Sequence, residues 1–310
     1  MNILGIDIGG TKTAFGIITD NKQVERFNII PTKEHYEEEL DELGEIISEM
    51  KKEVRIDGIG IGLPGPLDPM KGVVFSITNL EGWRNIPLKK LVEEKTGIPV
   101  FIDNDANAAA VGELYFGKGK GLKNFVVVTL GTGIGGGLII DGKLYRGAGL
   151  IAGEVGHIKV ELSGGRLCGC GKRGCVEAYA SGKAILEIFR ELVAIRAHTN
   201  ADLQNLSTKT IFEAAKQGDA LALKVIRQAA EYLGMAMSSL VNILNPEAII
   251  FSGGLSKERE LLVEPASKII MERAISEATR NLRIEATDLG REGPVLGAAA
   301  LFLESMHQTS

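Results

Sequence analysis

The chain has 310 residues, of which 45% are hydrophobic and 24% are charged, and its 35 basic and 40 acidic side chains give a net charge of −5. This is the composition of an ordinary globular protein that is long enough for two domains. It has no basic run and no long apolar stretch, which argues against a nucleic-acid partner and a membrane span. The N-terminal MNILGIDIGG lacks the pattern of a signal peptide, and an odd number of clustered cysteines does not suit a secreted disulfide framework. We therefore expect a cytoplasmic protein.

The chain opens on a pattern that recurs later. NILGIDIGGTKTAFGIITDNK from Asn2 and NFVVVTLGTGIGGGLIIDGK from Asn124 align without a gap, so that Gly9 matches Gly131. Each segment reads as a strand, a tight glycine turn and a second strand. The repeat predicts two related halves, each beginning with a hairpin, and chance similarity of two hairpins is the alternative.

Strand-like and helix-like segments alternate after each hairpin. The first half continues with strands in IDGIGIGLPG and IPVFIDND, and with helices from Ile86 to Lys95 and over ANAAAVGELYFG. The second half has a helix near Ala184 to Ala197, a helical region from Thr210 to Leu244 that breaks near Gly218-Asp219, a strand in AIIFSGGLS and a closing helix in GPVLGAAALFLESM. Helical spacing of the apolar residues supports the long region. The alternation predicts an α/β fold.

Three glycine turns follow strand-like segments. In DIGGTKT, Asp7 ends a strand and could hold a hydrated Mg²⁺, while the glycines after it let backbone N–H groups approach a phosphate. The second turn, LGTGIGGG, runs into a strand and not a helix, so a Rossmann motif does not fit, and GELYFGKG lacks the Ser or Thr of a Walker A motif. The third turn contains Gly253 and Gly254. A single turn is explained by a hairpin alone, whereas the set of three favours nucleotide binding.

Carboxylates stand at two further points. IDNDANAAA places Asp103 and Asp105 at a strand end before a helix. An acid there can cap the helix, and Asp105 could instead be the base for a hydroxyl nucleophile, with Asn104 as a hydrogen-bonding neighbour. Glu154 precedes His157 by three residues, and Glu177 follows the cysteine-rich loop. Polar groups gathered around one loop suit the hydroxyl groups of a sugar.

All three cysteines lie in HIKVELSGGRLCGCGKRGC. Cys168, Cys170 and Cys175, together with His157, supply the four ligands of a closed, structural Zn²⁺ site. The spacing is not that of a common zinc finger, and three incidental thiols are the alternative. Free cysteines tend to be buried, however, and this loop is polar and rich in glycine.

These motifs, taken in order, resemble the ROK family of sugar kinases and sugar-responsive repressors. The resemblance covers essentially the whole chain and rests on DIGGTKT, GIGLPGPLD, TNLEGW, DNDANAAAVGE, LGTGIGGGLIIDGKLYRGAGLIAGEVGHI, CGCGKRGCVEAYASG and SGGLS. One departure is Glu81, where a proline is more usual.

The resemblance implies duplicated actin-like or ribonuclease-H-like α/β domains with an interdomain cleft in which ATP and sugar meet. A small domain is expected over 1–110 plus 294–310, and a large domain with the zinc loop over 111–293. The resemblance also implies a homodimer or a homotetramer.

The resemblance assigns roles to individual residues. Asp105 matches the general base, and the sugar contacts are Gly65, Asn79, Asn104, Asp105, Glu154, His157 and Glu177. The residues expected on the nucleotide side are Asp7, Gly9, Gly10, Thr11, Lys12, Thr132, Gly133 and Gly254. The zinc ligands are His157, Cys168, Cys170 and Cys175.

The expected activity is ATP-dependent phosphorylation of a hexose with Mg²⁺, with glucose converted to glucose 6-phosphate in glycolysis. Alternatives within the family are N-acetylmannosamine, N-acetylglucosamine and fructose as acceptors. A sugar-responsive repressor is the alternative from another class. We expect it less, because a helix-turn-helix domain would precede the first glycine motif and Asp7 is reached at once.

Overall fold

The computed structural model describes residues 1–19, 23–77, 80–195 and 197–308. The chain divides into two compact units. The first comprises Met1–Lys123, Gly137–Gly153 and Asp288–Ser310, and the second comprises Asn124–Gly136 and Glu154–Thr287. The domain boundaries that the family resemblance implies, at residues 110 and 293, stay a prediction.

Strands and helices alternate along both units, which confirms the α/β class. The strands are β1 Ile3–Ile8, β2 Lys12–Ile18, β3 Val24–Pro31, β4 Gly58–Leu63, β5 Leu67–Asp68, β6 Val73–Ile77, β7 Leu80–Ile86, β8 Val100–Asn104, β9 Phe125–Leu130, β10 Ile134–Ile140, β11 Lys143–Leu144, β12 Ala248–Ser252 and β13 Arg283–Ala286. The helices are α1 Tyr36–Glu53, α2 Leu88–Thr96, α3 Asp105–Phe116, α4 Glu177–Ala180, α5 Gly182–Ala194, α6 Thr208–Lys216, α7 Ala220–Leu244, α8 Glu264–Arg273, α9 Ser276–Thr279 and α10 Gly293–Gln308. Short 3-10 helices cover Val155–His157, Gly254–Lys257 and Gly290–Glu292, and a π-helical turn covers Arg259–Val263.

Two five-stranded sheets share one strand order. The first is β3-β2-β1-β4-β8 and the second is β11-β10-β9-β12-β13, so the third, second, first, fourth and fifth strands follow one another in both. β9 begins at Phe125 and ends at Leu130, each 122 residues after the matching end of β1. This confirms the repeated hairpin, at the register in which Gly9 matches Gly131. A third sheet, β5-β6-β7, is antiparallel.

The first sheet is covered on both faces. Leu4, Ile6 and Ile8 belong to a buried cluster that includes Leu40 and Leu43 of α1. On the other face the backbone of α10 approaches closely, because a Cβ on Gly5 would lie 2.1 Å from the Val295 carbonyl oxygen and one on Gly60 would lie 1.8 Å from that of Ala298. Only glycine fits at these two positions. Asp7 lies on the same face of β1 as Gly5, because side chains alternate along a strand.

Most of the elements that the sequence predicts are found with small shifts. The helix expected from Ile86 to Lys95 is α2, and the alanine-rich segment forms α3. The long helical region breaks between α6 and α7 at Gly218-Asp219, as expected. No helix within the described part of the chain combines the length and the apolar character that crossing a bilayer requires.

Candidate active site

The carboxyl ends of three parallel strands bring two acids to one edge of the first sheet. Asp7 of β1 pairs in register with Gly62 of β4, and Gly62 pairs with Asp103 of β8. Gly62 carries no side chain, and a Cβ there would lie 3.6 Å from Asp7 Oδ1 and 3.3 Å from the Ala108 Cβ. In an α/β sheet this edge is where ligands bind.

Asp103 is buried, and hydrogen-bond donors occupy its carboxylate. Its Oδ2 accepts from Arg146 Nε over 2.7 Å, and its Oδ1 accepts from Asn107 Nδ2 over 2.9 Å and from the Asn104 N–H over 2.7 Å. A carboxylate held by three donors, with 1% of its residue surface exposed, has no room for a substrate. The structure therefore separates the two acids of IDNDANAAA and leaves Asp105 as the candidate base.

Asp105 is the first residue of α3 and is exposed. Its Oδ1 accepts from the Ala106 N–H over 2.8 Å, and the side chain of Asn104, the N-cap, accepts from the same N–H over 2.9 Å. Asp105 thus accepts a hydrogen bond at the start of the helix and is also exposed. A capping role and a catalytic role for this acid therefore do not exclude each other. Burial raises the pKa of Asp7 to about 7, and the charge of Asp105 adds to that shift. The two carboxylates therefore interact electrostatically.

The first glycine turn is a tight reversal between β1 and β2. The Gly9 N–H donates to the Lys12 carbonyl oxygen over 2.9 Å, which closes the turn. Gly10, Thr11 and Lys12 are exposed at its tip. A Cβ on Gly10 would meet no atom within 4 Å, so the outer side of the turn is open to a ligand.

A polar network that was not predicted from the sequence links this turn to α1. Thr32 Oγ1 donates to the Gly9 carbonyl oxygen over 2.8 Å and lies 3.0 Å from Thr13 Oγ1. Thr13 Oγ1 donates to Glu39 Oε1 over 2.5 Å, and the other oxygen of Glu39 accepts from the Lys33 N–H over 2.8 Å. Glu39 lies on α1 and is fully buried, and a buried charge requires such donors.

The structure gives less information about two of the expected sugar contacts, Gly65 and Asn79. Gly65 lies in the turn between β4 and β5 with φ +97°, and a Cβ there would lie 2.3 Å from the Ser76 carbonyl oxygen. That backbone conformation and that approach both require glycine, whatever else the residue does. Asn79 lies outside the described residues.

In the second unit, the second and third glycine turns meet at one sheet edge. β12 runs parallel to β9 with Ser252 beside Thr129, so both strands end together. A Cβ on Gly253 would stand 2.5 Å from the Leu130 carbonyl oxygen, which shows how closely the turns approach. Gly254 follows as an exposed residue at the start of a 3-10 helix.

The first amides of α5 hold the second turn. The Gly182 N–H donates to the Gly131 carbonyl oxygen over 2.8 Å, and the Lys183 N–H donates to that of Thr132 over 3.3 Å. Thr132 and Gly133 remain exposed. Exposed glycine-turn amides beside the N-terminus of a 13-residue helix are suited to phosphate oxygens.

Glu154, His157 and Glu177 lie around the cysteine loop. His157 Nε2 is 3.5 Å from Glu154 Oε2, across the 3-10 helix. Glu177 Oε1 lies 3.4 Å from Cys168 Sγ, and its Oε2 accepts from the Ile134 N–H over 2.9 Å. The structure therefore brings the three predicted sugar contacts of this unit together, and it adds a bond from Glu177 to the end of the second glycine turn.

The cysteines and His157 have the geometry of a metal site. One ligand atom from each of His157, Cys168, Cys170 and Cys175 lies within 4.8 Å of the others. Cys170 Sγ and Cys175 Sγ are 3.8 Å apart, and Cys168 Sγ and His157 Nδ1 are 3.7 Å apart. Tetrahedral Zn²⁺ with Zn–S bonds of about 2.3 Å requires sulfur atoms about 3.8 Å apart. The donor set and its spacing fit that ion.

Lys159 lies beside this cluster and had no sequence signal. Its Nζ donates to Cys175 Sγ over 2.8 Å and to the Arg173 carbonyl oxygen over 3.0 Å. Burial raises the pKa of the Cys168 thiol, so a bound cation is what would hold that sulfur as a thiolate. An ammonium group at this distance offsets part of the negative charge of three thiolates.

Comparison with known proteins assigns this arrangement to a family. The family described as ROK matches residues 3–305. A glucokinase of Halalkalibacterium halodurans is 37% identical over 310 residues, 96% of this chain and 94% of that protein. A xylose repressor of Caldicellulosiruptor bescii is 37% identical over 253 residues, 80% of this chain and 63% of the repressor. The crystal structure of a ROK family glucokinase from Streptomyces griseus in complex with glucose and AMPPNP superposes with a TM-score of 0.84 at 35% identity, covering 97% of this chain and 99% of that one.

Proposed function

The chain belongs to the ROK family, and on that premise we propose that it is an ATP-dependent hexose kinase whose acceptor is glucose. Its fold is the duplicated actin-like or ribonuclease-H-like fold of that family's kinases. The observation that carries the proposal is the difference in burial and hydrogen bonding between the two acids in IDNDANAAA. Asp103 is buried and fully bonded, whereas Asp105 is exposed at the sheet edge where β1 leads into the first glycine turn.

In this proposal Asp105 is the general base. Its carboxylate accepts the proton of the attacking sugar hydroxyl, the hydroxyl oxygen forms a bond to the γ-phosphorus, and the bond from that phosphorus to the β,γ-bridging oxygen breaks to leave ADP. The hydrogen bond from the Ala106 N–H to Asp105 Oδ1 fixes the carboxylate at the start of α3. Phosphoryl transfer depends mainly on such positioning and on charge neutralisation.

The nucleotide phosphates are assigned to the glycine turns. Gly10, Thr11 and Lys12 offer backbone and side-chain donors from the first turn, and Thr132 and Gly133 offer them from the second. Asp7, at the end of β1, would hold a hydrated Mg²⁺, which when bound neutralises charge on the phosphate oxygens. The nucleotide in the Streptomyces griseus glucokinase complex, AMPPNP, supports ATP as the donor.

The residues that we assign to the sugar are acids, an amide and an imidazole: Asn104, Asp105, Glu154, His157 and Glu177. Carboxylate oxygens and an imidazole accept from and donate to sugar hydroxyl groups. The glucose of the Streptomyces griseus glucokinase complex supports a hexose as the acceptor.

We also assign a structural Zn²⁺ to His157, Cys168, Cys170 and Cys175. Four protein ligands close the coordination sphere, so the ion would hold the loop in place and leave the chemistry to other groups. Glu154, facing the second nitrogen of His157, would fix the orientation of that ring. A cytoplasmic location and a homodimeric or homotetrameric state complete the proposal.

The test measures ADP release from Mg²⁺–ATP with glucose, mannose, fructose, N-acetylmannosamine and N-acetylglucosamine, for the wild type, for Asp105→Asn and for Asp41→Asn, an exposed acid of α1. We expect glucose to be preferred. We expect Asp105→Asn to lower kcat by about 10² to 10⁴ with glucose affinity within about threefold of the wild type. Asp41→Asn should behave as the wild type.

Other outcomes have defined meanings. Preference for an acetylated sugar would change the acceptor and leave the assigned residue roles in place. Glucose binding with no turnover on any sugar would overturn the kinase and favour a sugar-responsive repressor, as the xylose repressor of Caldicellulosiruptor bescii is named. Full activity of Asp105→Asn would overturn the general base.

A further inference from the structure

Ile134, where the second glycine turn enters β10, is held on both sides. Its N–H donates to Glu177 Oε2 over 2.9 Å, and a Cβ on Gly133 would stand 2.7 Å from that same oxygen. Its carbonyl oxygen lies 2.1 Å from the position that a Cβ on Gly156 would take. The end of the turn is therefore confined between a carboxylate and the 3-10 helix Val155–His157.

Glu177 is itself fixed by the chain around the cysteine cluster. It begins α4 two residues after Cys175, which forms a β-bridge with Lys159. The Val176 N–H then donates to the Ile158 carbonyl oxygen over 2.9 Å. The carboxylate is thus carried by a segment held both by backbone pairing and by the residue that supplies one of the four ligand atoms.

We propose that Glu177 is a positioning residue for the nucleotide, whose carboxylate orders the second glycine turn so that its N–H groups bind phosphate. The inference rests on the proposed function, which assigns phosphate to this turn, and it adds a nucleotide-side role to a residue that the family resemblance places on the sugar.

The physical reason is the composition of the turn. A glycine-rich segment loses much conformational freedom when it is ordered, and that entropy loss weakens binding if it occurs only when the ligand arrives. A hydrogen bond to a charged acceptor is stronger than one between neutral groups. The bond from Ile134 to Glu177 therefore orders the turn in advance.

The test measures binding of AMPPNP with Mg²⁺, in the absence of sugar, by calorimetry. Glu177→Ala removes the acceptor, and we expect its Kd to rise at least tenfold. Glu177→Gln keeps an oxygen that accepts from the Ile134 N–H, and we expect a Kd within about threefold of the wild type. Glu49→Gln, at an exposed acid of α1 outside the assigned sites, is the matched control and should leave the Kd for AMPPNP unchanged.

A second measurement reports on the turn itself. Amide hydrogen exchange in peptides covering residues 125–140 should be faster in Glu177→Ala than in Glu177→Gln or the wild type, at equal zinc content and equal Tm. Equal AMPPNP affinity for Glu177→Ala and the wild type would overturn the proposal, and so would failure of Glu177→Gln to restore affinity. If the wild type itself bound no AMPPNP, the proposed function would fail, and the exchange measurement would still decide whether Glu177 orders the turn.

Discussion

Arg146 donates from Nε to Asp103 Oδ2 over 2.7 Å, and the two side chains are only 8% and 2% exposed. Among the described residues Arg146 Nη2 finds no hydrogen-bond partner, and the guanidinium lies over the Phe101 ring at 5.7 Å from its centroid. The same acid accepts from Asn107 of α3, the helix that begins with Asp105. The pair thus fixes the start of the helix that carries the candidate base.

Replacing one partner of this buried pair should be costly. Arg146→Met leaves the Asp103 carboxylate buried without its cation, and we expect the free energy of unfolding in urea to fall by about 3–5 kcal/mol. Asp103→Asn combined with Arg146→Met removes both charges and should recover part of that loss. Arg55→Met is the control, because Arg55 pairs with Asp57 while 88% exposed, and we expect a change below about 1 kcal/mol. If Arg146→Met cost no more than this control, the buried pair would not be a structural support.

The network behind the first glycine turn predicts a second effect. Thr13→Val removes the hydroxyl that donates to the fully buried Glu39, and we expect the free energy of unfolding to fall by about 1–3 kcal/mol. Because the turn also loses the contact between Thr13 and Thr32, the Kd for AMPPNP should rise as well. Both quantities are measured by urea unfolding and calorimetry.

A matched substitution lies just after the same strand. Thr19 Oγ1 is buried and lacks a hydrogen-bond partner among the described residues, so Thr19→Val removes no hydrogen bond between them. We expect no loss of stability and no change in AMPPNP affinity. Equal effects at Thr13 and Thr19 would contradict the bracing role of Glu39.

The shifted pKa of Asp7 predicts a pH dependence of folding. The pKa is about 7 in the folded protein, where burial and then Asp105 disfavour the charge, and about 4 in an unfolded chain. The folded state therefore holds a proton that the unfolded state releases, so this contribution to stability is full below pH about 4 and is lost as the pH rises to about 7.

The Asp7→Asn variant has no ionisable group at this position, so its stability should not show this fall with rising pH. We expect its free energy of unfolding, relative to the wild type, to rise by a few kcal/mol between pH 4 and pH 8, at most about 4 kcal/mol. Asp105→Asn removes a charge that raises the folded-state pKa of Asp7, so the loss should be smaller and should be complete at lower pH. A relative stability that stays flat from pH 4 to pH 8 in Asp7→Asn would refute the shift.

The cysteine cluster predicts a metal content. Metal analysis of the pure protein should find about one zinc per chain, and Cys175→Ala should reduce that content to near zero and lower the Tm. His198→Ala, at an exposed histidine outside the cluster, should leave both unchanged. Wild-type protein without zinc, at full stability, would contradict the four-ligand assignment.

Local patterns in the sequence predicted much of this fold. The repeated hairpin, the break at Gly218-Asp219 and the gathering of His157 with the cysteines all rest on spacing within short segments. The helix α1 was missed although Leu40, Leu43 and Ile47 recur at helical intervals and are buried together.

The parts that were missed depend on contacts between distant residues. Arg146 reaches Asp103 across 43 positions, and Thr13 reaches Glu39 across 26. No periodicity encodes such pairs, so the sequence indicated neither the buried ion pair of Asp103 nor the network behind the first glycine turn. It named Asp105 as the possible base but left open whether that residue caps the helix or acts in catalysis.

The close packing of α10 on glycine positions of β1 and β4 has a consequence for biosynthesis. The later of these two strands, β4, ends 230 residues before α10 begins. At about 5–20 residues per second, the glycine-bearing face of the first sheet waits roughly 10–50 s for the backbone that covers it. The first unit therefore completes its packing only after residues 154–287 of the second unit have been synthesised.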